Sequence, residues 1–142
     1  MKLRDDVVDK NMRILVVDDF STMRRIVRNL LVDLGFSSTL IQEADDGNTA
    51  LSLLHSRPFD LVITDWNMPA MSGIELLRSI REGEKTRSLP VLMVTAENNR
   101  AQIIAAAEAG VNGFVVKPFS TATLEDKISR IFERLALSES GA

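Results

Sequence analysis

Four short apolar runs constrain this chain more than any other feature: Ile14 to Val17, Leu61 to Ile63, Val91 to Val94 and Phe114 to Val116. They are rich in β-branched residues and lack the polar alternation of a strand with one wet face. Runs of this kind read as strands of a parallel sheet covered on both faces. Each gives way to polar residues at its C-terminal end, namely Asp18 and Asp19, Asp65, Thr95 and Lys117. In open parallel α/β sheets that edge is where sites form, so these side chains are the first candidates for function.

The segments between the runs have helical period. Met23, Ile26, Val27, Leu30, Leu31 and Leu34 fall on one face of a first helix, and Gly35 stands where a C-terminal cap belongs. A second helix is predicted from Asp46 to His55 and a third from Ser72 to Arg81, where Ser72 and Glu75 have capping-box spacing. The fourth should end at Gly110, and the fifth, Leu124 to Leu135, keeps Leu124, Ile128, Ile131 and Leu135 together. With a strand near Leu40 and Ile41, the count is five βα units. Residues 1–11 read as a loosely ordered polar leader, 12–137 as the domain, and 138–142 as a frayed tail. About seven residues follow the fifth helix, so no attached effector domain is expected and any signal must pass through this domain's own surface.

Composition narrows the class. A single domain of 142 residues buries roughly 70% of its unfolded surface, enough for one core. A net charge of −3 provides no broad basic field for nucleic acid or anionic lipid. The absence of cysteine excludes a disulfide framework, a thiolate metal site and cysteine redox chemistry. The opening MKLRDDVVDKNM has acids where a signal peptide needs an apolar stretch, and no window approaches a membrane span, so a cytoplasmic chain is expected.

Three acids converging on one sheet edge must either shift their pKa values or recruit a cation, since two carboxylates about 4 Å apart repel by roughly 4 kcal/mol at an effective dielectric of 20. With oxygen donors only, and no His or Cys near the motif, the cation indicated is a hard divalent ion such as Mg²⁺. An EF-hand is set aside, because Asp65, Asn67 and Pro69 put proline at a ligand position. A carboxylate, a metal ion, a hydroxyl and an ammonium together suit receipt of a phosphoryl group. Asp65 stands alone after LVIT and is the best nucleophile, while Asp18 and Asp19 are paired for the metal. Lys117 would neutralise charge on the transferring oxygens and Thr95 would hydrogen-bond one of them.

VVDDFSTMRRIVRNLL, LVITDWNMPAMSG, LPVLMVTAE and GFVVKPF, in that order, resemble the receiver domain of response regulators over residues 12 to 135, and within it the single-domain chemotaxis regulators. The resemblance implies a (βα)5 flavodoxin-like fold with parallel strand order 2-1-3-4-5. It implies Asp65 as phosphoacceptor and Asp18, Asp19, Asp65 and the backbone carbonyl of Asn67 as the Mg²⁺ site. Thr95 and Phe114 correspond to the switch residues, Lys117 to the phosphate-binding lysine, and the Lys117–Pro118 bond to a cis peptide. The implied partners are a histidine kinase, a flagellar motor switch protein and an assisting phosphatase, with the fourth helix, fifth strand and fifth helix as output surface. Such a protein is a monomeric phosphoacceptor rather than an enzyme, catalysing only gain and loss of its own phosphate. A receiver acting as phosphate sink or phosphorelay intermediate is the alternative. One departure stands out: the switching aromatic is Phe114 where these regulators usually carry tyrosine, which removes a hydroxyl.

Blander readings apply elsewhere. Asp5, Asp6, Asp45 and Asp46 read as solvated turns or caps, and His55 as a surface residue near a helix end. Trp66, Met68 and Met71 read as packing, and Ile103 and Ile104 as core, with a face left for a partner as the alternative. A haloacid-dehalogenase-like phosphatase is disfavoured because Asn67 occupies the position of its general acid. DDFSTM is not a flavin phosphate loop, and the chain has no GxxxxGK sequence of a nucleotide enzyme.

Overall fold

The computed structural model describes residues 8–96 and 99–141, with side chains described through residue 138. The predicted leader residues 1–7, including Asp5 and Asp6, lie outside the described residues. The elements alternate strictly: β1 (Ile14–Val17), α1 (Ser21–Asp33), β2 (Ile41–Ala44), α2 (Gly47–Ser56), β3 (Leu61–Asp65), α3 (Gly73–Glu82), β4 (Val91–Thr95), α4 (Arg100–Glu108), β5 (Gly113–Val116) and α5 (Thr121–Gly141). The five strands are all parallel and ordered 2-1-3-4-5, as the resemblance implies.

Successive strand side chains point to opposite faces, which divides the core in two. Ile14, Val16, Leu61, Ile63, Leu92, Val94 and Val115 meet Val27 and Leu31 of α1 and Leu124, Ile128 and Ile131 of α5. Leu15, Val17, Val62, Val91 and Met93 meet Ala50 and Leu54 of α2, the apolar face of α3, and Ala106 of α4. Burial on both faces accounts for the absence of polar alternation in β1 and β4, and every residue of β3 is buried.

Helix boundaries follow local chemistry. Asp46 caps α2 by accepting from Thr49 N at 2.7 Å. Ser72 and Glu75 form the expected reciprocal box on α3, with Ser72 N donating to Glu75 Oε1 at 2.9 Å. Gly35 and Gly110 end α1 and α4 in the left-handed region, at φ +103° and +91°, each followed by a residue bonding back to the helix: Phe36 N to Leu31 O and Val111 N to Ala106 O.

Four expectations need correction. The strand predicted near Leu40 and Ile41 begins at Ile41, because Ser38–Leu40 forms a 3₁₀ turn. Helix α5 is longer than its apolar stripe on both sides, so residues 138–141 continue it rather than forming a frayed tail. Val8 and Lys10 of the supposed loose leader contact the domain, while Asp9 and Asn11 are exposed. Val8 is buried with Met12 in the α1/α5 core, and Lys10 Nζ reaches the α1 C-terminus at Leu34 O (2.6 Å) over the Phe36 ring. Finally, Ile103 and Ile104 are not core: they are 37% and 47% exposed. Alanines predominate around them, so α4 has no single apolar stripe, and its docking through Ala106 turns both isoleucines outward.

Candidate functional site

The site lies at the C-terminal edge of β1, β3 and β4. Asp65 is the last residue of β3 and Thr95 the last of β4, while Asp18 and Asp19 follow β1 and Lys117 follows β5. Since β1 and β4 flank β3, the topology brings residues 47 positions apart, Asp18 and Asp65, to one point. Carboxylate oxygens of Asp18, Asp19 and Asp65 lie within 4.8 Å of one another. Lys117 Nζ stands 3.1 Å from Asp65 Oδ1 and 3.6 Å from Asp18 Oδ2. Asp18 and Asp65 are buried, and Asp19 is exposed and opens the cluster to solvent.

Main-chain bonds hold this constellation. Asp18 N donates to Ala44 O of β2 (3.1 Å), Trp66 N to Val94 O (2.9 Å), and Lys117 N to Thr95 O (2.7 Å). The β1–α1 turn is closed by Phe20 N donating to Asp18 Oδ1 at 2.9 Å. Thr95 is fully buried. The Lys117–Pro118 peptide is cis, as the resemblance implies.

The β3–α3 loop carries two features with little sequence signal. Ala70 has φ +68°, and Met71 N donates to Pro69 O at 2.7 Å, which makes a γ-turn centred on a residue with no chemical preference for that conformation. Gly73 N donates to Trp66 O at 2.7 Å, and a Cβ there would sit 2.9 Å from Trp66 Cα and closer still to Asp65 O. A glycine at the first residue of a helix directly after a site loop is the signal that marks such an approach. Asn67 is exposed in this loop, two residues past Asp65.

Phe114 is half-buried on β5, opposite Met93, with its ring edge-on to Trp66 at 6.4 Å between centroids. It belongs to the wall beside the acids rather than to the cluster itself. Trp66 and Met68 are buried and pack in the same core half, as expected of them. His55, in the last turn of α2, is exposed and sits at the opposite edge of the sheet.

Electrostatically, Asp18 is the acid that the cluster disfavours in its charged form. Burial pushes the Asp18 carboxyl above its ordinary 3.8, and repulsion from Asp65 and Asp19 pushes the same way, against the Phe20 N–H and the Lys117 ammonium. A donor set of three carboxylates, two of them buried, fits a hard divalent cation, whose charge would reverse that shift.

An open parallel α/β sheet with converging acids and one lysine at its carboxyl edge defines a class of α/β domain whose strand ends offer donors for a cation. Comparison with known families gives that class its name. The model of the response regulator receiver domain matches residues 14–129, and the chain belongs to that family. Its relatives place it among the chemotaxis regulators. It is 64% identical over 129 residues to chemotaxis protein CheY-3 of Vibrio cholerae, covering 91% of this chain and 98% of that protein. It is likewise 64% identical over 124 residues to chemotaxis protein CheY of Pseudomonas aeruginosa, covering 87% and 98%. Among solved structures, CheY4 of Vibrio cholerae aligns with TM-score 0.78 at 32% identity, over 85% of this chain and 98% of that one. A putative response regulator from Chloroflexus aurantiacus aligns with TM-score 0.80 at 29% identity, over 87% and 98%. The chain is thus a CheY-like chemotaxis response regulator receiver domain.

Proposed function

We propose that this receiver takes a phosphoryl group on Asp65 from the phosphohistidine of a histidine kinase and binds the flagellar motor switch differently once phosphorylated. The observation that carries the proposal is the 3.1 Å approach of Lys117 Nζ to the one carboxylate that shares its cluster with both Asp18 and Asp19. In the transfer, an Asp65 carboxylate oxygen forms a bond to phosphorus while the P–N bond to the donor imidazole breaks, leaving a neutral donor histidine. Lys117, already within reach of Asp65, pairs with a phosphoryl oxygen and offsets its charge. Asp18, Asp19, Asp65 and the Asn67 carbonyl would hold Mg²⁺, which supplies charge neutralisation on the transferring oxygens. Thr95, whose backbone carbonyl accepts from Lys117 N, would donate its hydroxyl to the phosphoryl group afterwards. The protein acts as substrate and switch, catalysing only its own phosphorylation and hydrolysis, in the cytoplasm and as a monomer, with a phosphatase shortening the signal.

The output surface is α4, β5 and α5. Ile103 and Ile104 stand exposed on α4, and Phe114 lines a cavity with Ile103, Val116 and Lys127. Lacking a hydroxyl, Phe114 fills an apolar space when it turns inward but forms no hydrogen bond there, so coupling to the motor is weaker than a tyrosine would give. The test combines acetyl phosphate and Mg²⁺ with an N-terminal peptide of the motor switch protein from the same organism. Wild type should gain one phosphoryl group that is labile to hydroxylamine and to alkali, as an acyl phosphate is, and bind the peptide more tightly, and Asp65→Asn should do neither. Phe114→Tyr should tighten binding of the phosphorylated form. A phosphorylated wild type that ignores the peptide would assign the chain to a phosphate sink or relay, and a labelled Asp65→Asn would refute the acceptor itself.

A further inference from the structure

We infer that Arg24 is a positioning residue for the acidic turn, fixing the main chain at Asp18 so that the carboxylates of Asp18 and Asp19 face Asp65. The inference rests on the metal reading proposed above. Asp18 has both main-chain polar groups tied down: its N–H by Ala44 O of β2, and its carbonyl by Arg24 Nη1 at 2.7 Å. Arg24 is itself held, since its Nε donates to Glu43 Oε1 at 3.0 Å and its side chain is only 17% exposed. Glu43 lies on β2 in register with Val16 of β1, and Arg28 approaches its other oxygen at 3.6 Å. Arg28 in turn donates to Ile41 O and Ser38 O, both at 2.9 Å. The turn that bears two acids is therefore braced from the edge strand through one guanidinium.

Charge sharpens the assignment. A lone cation beside an acidic cluster disfavours a second cation, so an unpaired Arg24 would oppose metal binding. Glu43, shared with Arg28, offsets part of that charge while leaving the hydrogen bond to Asp18 O intact. The Arg24–Glu43 contact contributes direction with a reduced field, and the two roles predict opposite signs. If Arg24 acts by charge alone, removing it tightens binding of a divalent ion. If it positions Asp18 and Asp19, removing it weakens that binding, as loss of a partner outside the ligand set typically does, by roughly tenfold or more.

The experiment is a Mg²⁺ titration of the full chain, without phosphate donor, read by Trp66 fluorescence and by the Mg²⁺-dependent rise in unfolding midpoint. Stability of each variant is measured separately in EDTA. Arg24→Met should raise the Mg²⁺ Kd roughly tenfold. Arg24→Lys, which keeps the charge but cannot bridge both partners, should fall between it and wild type. Arg28→Met loses contacts to β2 without touching Asp18 and should leave the Kd within about twofold of wild type despite its own loss of stability. An unchanged or tighter Kd in Arg24→Met, or equal weakening in Arg28→Met, overturns the role of Arg24. Should Arg24→Met fail to fold, Arg24→Lys decides, and a wild-type Kd in that variant overturns it equally. A wild type showing neither Mg²⁺ response refutes the metal reading and the inference with it.

Discussion

Gly73→Ala replaces a hydrogen with a methyl group where α3 begins, and the structure leaves no room for it. The new Cβ would lie 2.8 Å from Met93 Sδ, 2.9 Å from Trp66 Cα and nearer still to Asp65 O. Met93 is fully buried in the core under α3, so even its flexible sulfur has little space to retreat, and the other two neighbours are backbone. Overpacking of this kind costs about 1–3 kcal/mol, and backbone neighbours put the cost near the top of that range. Alanine recovers up to ~1 kcal/mol through its better helix propensity. The net expectation is a loss of about 2 kcal/mol, measured by urea unfolding followed by far-UV circular dichroism and so independent of local effects on Trp66. The functional consequence is separate. If strain is relieved by moving the Asp65–Trp66 backbone, the acceptor carboxylate moves relative to Lys117. A displacement near 1 Å reduces the rate of a positioned reaction by roughly 100-fold. Uptake of phosphate from acetyl phosphate by folded Gly73→Ala should therefore be slowed by about 10- to 100-fold. Equal or greater stability than wild type together with an unchanged rate would refute the steric reasoning, since only the propensity gain would then remain.

Lys117→Arg keeps the positive charge but replaces a compact ammonium with a planar fork, so it should still be phosphorylated on Asp65 yet show little phosphate-dependent partner binding, measured with the motor-switch peptide. Arg81 donates to Gly110 O twice (3.0 and 2.7 Å), to Leu89 O (2.7 Å) and to Asn112 Oδ1 (2.8 Å), joining α3 to the turn between α4 and β5 and to the segment before β4. Arg81→Met should lower the unfolding free energy by about 2–3 kcal/mol, because charge-assisted bonds are each worth ~1.5–3 and water replaces those at the surface; chemical denaturation checks this. The Asp46 cap predicts a pH dependence. Hydrogen bonds from Thr49 hold its carboxyl below the ordinary 3.8, so its stabilising effect is complete above that value and is lost as pH falls through the lower folded-state value. Asp46→Asn caps without titrating, so its acid-unfolding curve should be shallower than that of wild type below about pH 4.

The sequence by itself determined the elements and the chemistry on offer. Unalternated β-branched runs read as strands of a covered parallel sheet, although on the edge strand β5 only Val115 is buried, and a Ser72–Glu75 box or a Gly35 stop acts within one helical turn, so both are legible locally. Acids and a lysine at strand ends stated the chemical type of the site for the same reason. Tertiary structure decided what depends on which surfaces meet. It alone brought acids from the ends of separate strands within 4.8 Å of one another and aimed Arg24 of α1 at Asp18 O through Glu43 of β2. It also decided that Ile103 and Ile104 face outward, because a helix without one apolar stripe lets its docking partner choose the face, and that Val8 is core although charged residues crowd that stretch of sequence. Ala70 adopts φ +68° because its loop is held at both ends, by Trp66 on β4 and by Gly73 against Trp66, and no property of alanine announces that conformation. Local patterns are written in neighbouring residues, whereas contacts between distant segments exist only once the sheet has put its strands in order.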